Sequence, residues 1–75
     1  MKIEVLGSGC PKCRELERRV REAVREKGID AQVEHVYDVN EIIKRNVFST
    51  PALAIDGKIV VSGKVPYTKE IVDML

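Results

Sequence analysis

The two cysteines of this chain, Cys10 and Cys13, lie in the stretch Gly7-Ser8-Gly9-Cys10-Pro11-Lys12-Cys13, immediately after an apolar run. Two thiols enclosing only Pro11 and Lys12 can close a small ring, so the spacing points to a reversible dithiol/disulfide pair. A structural staple is a poor explanation, because so short a loop removes little entropy from the unfolded chain. A secreted domain held together by disulfides would also carry several pairs. The pair is there for its chemistry.

That chemistry depends on position. Pro11 suits the first position inside a helix, where its missing N–H would lack a partner anyway. Cys10 then becomes the N-cap, and Cys13 falls in the first turn. Unpaired N–H groups and the positive end of the helix dipole stabilise a thiolate, lowering its pKa from about 8.5. Lys12 adds a positive charge that pushes the same way. Cys10, at the cap, is the expected exposed nucleophile. Cys13 shares an apolar stripe with Leu16 and is expected to be shielded, placed to resolve a mixed disulfide on Cys10.

The elements that must hold this pair are legible in order. Lys2 to Leu6 alternates polar and apolar, with Ile3 and Val5 on one side, and reads as a first strand. Gly7 and Gly9 make the turn. The helix from Pro11 runs to about Lys27 and stops at Gly28, with Cys13, Leu16, Val20, Ala23 and Val24 as its stripe. Its opposite face carries Glu15, Glu17, Arg18, Arg21, Glu22 and Arg25. Glu15–Arg19 and Glu17–Arg21 stand four apart with the acid first, the favourable order. Ala31 to Tyr37 reads as a second strand. Asp38 caps a short helix from Val39 to about Asn46, with Ile42 and Ile43 buried. Phe48-Ser49-Thr50-Pro51 breaks that helix. Ala52 to Ile55 and Lys58 to Ser62 flank Asp56-Gly57, a strong hairpin signal. Thr68 caps a last helix, Lys69 to Leu75, with Ile71, Val72 and Leu75 inward.

The order β-α-β-α-β-β-α describes an α/β fold. The first two strands must be parallel with a right-handed crossover, and the last two form an antiparallel hairpin. A four-stranded mixed sheet flanked by three helices on its two faces follows, as a single domain over residues 1–75. Composition agrees: 44% hydrophobic and 33% charged residues describe a globular chain, and a net charge of +1 favours no polyanion. The aromatics Tyr37, Phe48 and Tyr67 are scattered and do not interleave with a basic stripe, so no nucleic-acid partner is expected. No apolar run approaches the roughly 20 residues of a membrane span. The start, Met1-Lys2-Ile3-Glu4, is too charged for a signal peptide, and a cytoplasmic monomer is the expectation.

Other uses of the cysteines stay open at this point. A zinc site would need ligands beyond Cys10, Cys13 and the one histidine, His35, so only a zinc-bridged dimer fits. His35 falls on the second strand as a solvated or hydrogen-bonded residue outside the mechanism. A soft-metal carrier could also place a Cys-x-x-Cys pair after its first strand. Small copper-binding domains of that kind resemble β-α-β-β-α-β and carry methionine where this chain has Ser8. A third possibility is a redox-sensing or interaction module with slow exchange.

Cys10-Pro11-Lys12-Cys13 after a first strand, Thr50-Pro51 before a hairpin, and a closing helix together resemble the thioredoxin/glutaredoxin family. The likeness covers essentially the whole chain and points to that family's smallest archaeal and bacterial members. The resemblance implies a thioredoxin-like fold and thiol–disulfide oxidoreductase activity with Cys10 and Cys13 catalytic. It implies no metal or organic cofactor. It also implies disulfide-containing protein substrates, with a thiol reductase or small thiol as electron donor. Thr50-Pro51 would be a cis peptide bond beside the sulfurs, leaving the Thr50 backbone free to pair with an extended substrate. Ser62-Gly63 resembles the glycine turn that helps bind glutathione, which places Gly63 at the same groove. Two departures are visible: Lys64 follows Gly63 with no acidic residue next, and Gly9 stands where thioredoxins usually carry an aromatic.

Overall fold

The computed structural model describes residues 1–75. Seven elements follow in the expected order. They are β1 (Lys2–Leu6), α1 (Pro11–Lys27), β2 (Gln32–Val36), α2 (Val39–Lys44), β3 (Ala52–Ile55), β4 (Lys58–Ser62) and α3 (Thr68–Met74). The sheet order is β2-β1-β3-β4. β2 lies parallel to β1, whereas β3 is antiparallel to both β1 and β4. This is a thioredoxin-like α/β arrangement, a mixed sheet with three helices.

Strand alternation divides the core between two faces. Ile3 and Val5 of β1 pack with Leu16, Val20 and Ala23 of α1, with Leu53 and Val61, and with Ile71 of α3. Leu6, Ala52 and Ala54 pack with Ile42 of α2 and with Val47 on the other face. The stripe on α1 is therefore what seats the helix on the sheet. Cys13, Leu16, Val20 and Ala23 are all buried along it. Gly28 closes α1 in the left-handed conformation (φ 68°), its N–H shared by the carbonyls of Val24 and Arg25. No helix is long and apolar enough to cross a membrane.

Several boundaries and one burial differ from expectation, each for a local reason. β2 is shorter than Ala31–Tyr37 because its pairing ends where β1 ends, at Leu6↔Val36. α2 stops before Asn46, which turns left-handed (φ 59°), a conformation asparagine tolerates better than most residues. So short a helix presents one side chain to the sheet. Ile42 is buried, but its neighbour Ile43, about 100° further round, is 51% exposed. The cap of α3 is Tyr67 and not Thr68, because Glu70 Oε1 accepts the Tyr67 N–H at 3.0 Å and pins the helix start there. In α3, Ile71 is fully buried, while Val72 and Leu75 are partly buried against the same cluster.

Glu4 is the unexpected resident of the interior. It points to the α2 face of β1 and is only 4% exposed. Arg45, just beyond α2, meets it with two hydrogen bonds, Nη1 to Oε1 at 2.6 Å and Nη2 to Oε2 at 2.7 Å. The paired fork explains how a carboxylate is accommodated there. Arg45 holds the Glu4 carboxyl below its ordinary range, first by hydrogen bonding and then by charge, against the opposing effect of burial.

Candidate active site

Cys10 sits at the N-cap of α1 with extended backbone (φ −65°, ψ 166°), and Pro11 opens the helix as its first residue. The 3.6-residue turn carries Cys13 back beneath it, so the two sulfurs stand 2.8 Å apart. Both cysteines are free thiols, Cys10 half-buried and Cys13 buried. The environments push their acidities in opposite directions. Cys10 is lowered, above all by the hydrogen bond from the Cys13 thiol, and further by the backbone N–H groups of Cys13 and Lys12. Cys13 is raised, first by burial and then by the same sulfur–sulfur contact. Both shifts favour the thiolate at Cys10 and the thiol at Cys13. Lys12 acts here through its backbone N–H, and its side chain is exposed.

The turn before the helix is built around Cys13. A side chain on Gly7 would overlap Cys13 Sγ and stand 3.2 Å from its Cβ. The same position is 3.8 Å from Thr50 Cβ, so Gly7, Cys13 and Thr50 converge at one point. The Thr50–Pro51 bond is cis. Pro51 is buried while Thr50 is exposed at the surface. Gly63, left-handed at φ 74°, donates its N–H to the Pro51 carbonyl at 2.9 Å. Ser62 Oγ donates to the Ser49 carbonyl at 3.1 Å, tying the end of β4 to the same segment. The structure therefore brings Thr50 and Cys13 together around Gly7, and joins Gly63 to that segment through Pro51.

We expect Gly7→Ala to show how tight this contact is. The added methyl must displace the Cys13 sulfur or the β1–α1 turn, an overpacking cost of about 2 kcal/mol. A fall in Tm of about 10 °C should accompany slower thiol exchange. An alanine variant with unchanged Tm and exchange rate would show the contact to be slack.

Two grooves flank the pair. One, of about 320 Å³, is bordered by Ser8 and Thr50 and lined mainly by Val39, Ile43, Val47 and Phe48. Phe48 is 82% exposed, which leaves an apolar ring at its rim. The other, of about 410 Å³, runs past Pro11 and Lys12 to Glu15, Arg19 and Tyr67. Arg19 lies over the Tyr67 ring, 5.4 Å from its centre, and donates to the carbonyls of Val65 and Pro66. Glu15, held by Arg18 and Arg19, has its carboxyl lowered to about 2. The expected Glu17–Arg21 pair is also present, at 3.1 Å.

A family model described as a thioredoxin domain matches residues 1–75. The chain belongs to the thioredoxin family. It is 40% identical to a thioredoxin of Methanothermobacter thermautotrophicus over 75 residues, all of this chain and 97% of that protein. It is 48% identical to a thioredoxin of Methanocaldococcus jannaschii over 73 residues, 97% of this chain and 84% of that one. Membership brings disulfide oxidoreductase chemistry at family level, with Cys10 and Cys13 as the Cys-x-x-Cys pair. Family members work with disulfide substrates and reductants.

Sequence reading missed a second layer behind the cysteines. His35 lies on β2 with its side chain almost fully buried, Nδ1 at 2.6 Å from Glu17 Oε1 on α1. Its Nε2 stands 3.2 Å from the Gly7 carbonyl. Tyr37 stacks on the His35 ring at 4.0 Å and 5°. The Tyr37 edge lies 3.0 Å from where a Gly9 side chain would begin. The expectation of a hydrogen-bonded histidine holds, but nothing local in the sequence indicates these partners. Their meeting depends on the β1–β2 register, which sets His35 beside Val5.

Proposed function

We propose that residues 1–75 act as a single thioredoxin-like domain that reduces protein disulfides by cycling Cys10 and Cys13 between dithiol and disulfide. The observation that carries this reading is the unequal pair, two sulfurs 2.8 Å apart with opposite acidity shifts. Deprotonated Cys10 attacks one sulfur of the substrate disulfide. The substrate S–S bond breaks, one substrate sulfur leaves as a thiolate and takes up a proton, and a mixed disulfide forms on Cys10. Cys13 then gives up its proton and attacks Cys10 Sγ, releasing the second substrate sulfur. Two electrons have passed from the Cys10–Cys13 dithiol to the substrate. A thiol reductase or small thiol returns them.

Placement supports the remaining assignments. Pro11 starts the helix whose first turn stabilises the thiolate, and Lys12 contributes a backbone N–H to it. Exposed Thr50, beside Gly7 and at the mouth of the apolar groove, is where an extended substrate segment would pair its backbone. Pro51 and Gly63 support that edge. A metal-carrier role has less behind it, since the thioredoxin-domain match covers residues 1–75 and the element order is not the β-α-β-β-α-β of the small copper-binding domains.

A redox titration against dithiothreitol, with metal stoichiometry measured on the same sample, tests the proposal. A reversible two-electron transition confined to Cys10 and Cys13, with coupled reduction of a protein disulfide, is the expected result. Stoichiometric bound metal together with negligible turnover would overturn it in favour of the carrier.

A further inference from the structure

The Glu17–His35–Gly7 chain stands outside the two sulfurs yet touches the turn that holds them. We infer that Glu17 and His35 are positioning residues for the Cys10–Cys13 couple, fixing the Gly7 carbonyl and, through Tyr37, the Gly9 turn. The inference rests on the redox reading above and assigns the site two residues that do not contact substrate.

Each link is a contact in the structure. The carboxylate of Glu17 reaches His35 Nδ1 at 2.6 Å, and the opposite edge of the same ring reaches the Gly7 oxygen at 3.2 Å. Both ring nitrogens therefore face acceptors, and a doubly protonated ring donates to both at once. The groups facing His35 are Glu17 with Arg21 behind it on α1, the Gly7 carbonyl of the β1–α1 turn, and the Tyr37 ring at the end of β2. Gly7 is also tied by its N–H to the Val36 carbonyl at 3.0 Å. With both its N–H and its carbonyl engaged, Gly7 cannot swing away from the Cys13 sulfur packed against it. On the outer side, His35 props Tyr37 flat, and the Tyr37 edge limits Gly9, whose φ of 87° would otherwise be loosely defined.

A purely structural role for the pair would affect melting only. A positioning role predicts a change at the sulfurs themselves, because the proton that Cys13 shares with Cys10 depends on their separation. His35→Phe keeps a ring for Tyr37 to stack on and removes both hydrogen bonds. Glu17→Gln keeps an acceptor for Nδ1 and removes the charge, at a partly exposed position.

The experiment follows Cys10 alkylation against pH, and the single-turnover resolution of a mixed disulfide formed between Cys10 and a thionitrobenzoate label. In His35→Phe the alkylation inflection should move up towards that of a free thiol, and resolution should slow about tenfold. Glu17→Gln should shift both readouts in the same direction, by about threefold in rate. His35→Gln, which keeps one donor, should recover part of the loss. A folded His35→Phe protein with its inflection and resolution rate within twofold of the unaltered chain overturns the inference. If His35→Phe does not fold, the same criterion applied to Glu17→Gln decides. An unaltered chain that resolves no mixed disulfide overturns the redox reading first, and this inference with it.

Discussion

Cys10→Ser is expected to lower dithiothreitol-coupled disulfide reduction by about three orders of magnitude, because a serine hydroxyl at neutral pH offers no thiolate for the first attack. Cys13→Ser has a different signature. Its Cys10 can still attack, but nothing resolves the product, so mixed disulfides with substrate accumulate and survive non-reducing electrophoresis. The asymmetry follows from geometry, since Cys10 is the partly accessible member and Cys13 is sealed under the β1–α1 turn. In Cys13→Ala, which offers no donor at that position, the Cys10 thiol should titrate higher, having lost the contact that lowers it most. Equal turnover in Cys10→Ser and the unaltered chain would remove the assignment altogether.

The second large effect concerns stability. Arg45→Met should cost about 3 kcal/mol by leaving the Glu4 carboxylate buried without its partner. For a domain of this size that corresponds to a fall in Tm of about 15 °C. The sign with pH is definite. In the intact protein Glu4 titrates below its ordinary value. The pair's stabilisation is therefore present above the unfolded-state pKa and is lost as pH falls through the lowered folded value. Without Arg45, burial dominates and raises the Glu4 pKa, so the variant loses stability as pH rises through the carboxylate range. The gap between the two proteins should be widest at neutral pH and narrow towards pH 4, which thermal melts across that range would show. Replacing both partners, Glu4→Leu with Arg45→Met, should recover most of the loss. A gap that stays constant with pH would assign the cost to lost packing and not to the charge.

Both predictions bear on a fold that was largely readable in advance, for reasons that can be traced element by element. The α1 stripe is written in spacings of three and four, and Pro11 and Gly28 mark its ends, so its length and buried face follow from local rules. Asp56-Gly57 reads as a hairpin because a left-handed pair is needed there, and both residues do adopt positive φ, 49° and 85°. Local signals conflict at two places. Ile42-Ile43 offers two apolar side chains to a surface with room for one, and only packing decides between them. Thr68 is a good cap by type, but the Glu70 carboxylate reaches back to the Tyr67 N–H and moves the cap by one residue.

The sequence by itself determined the element order, the start of the active helix and the inequality of its two cysteines. Those are properties of residues within a turn or two of each other. Cys10 is a cap because Pro11 follows it, and Cys13 is buried because it shares a helical stripe with Leu16 and Val20. Only the tertiary structure decided what surrounds them. Glu17 meets His35 across 18 positions, and Arg45 meets Glu4 across 41. Thr50 reaches the cysteines through Gly7, from beyond the end of α2. Such contacts are fixed by strand order and by the register of β2 and β3 on β1, and register arises when both faces of the sheet are buried together. No short window of residues contains that information.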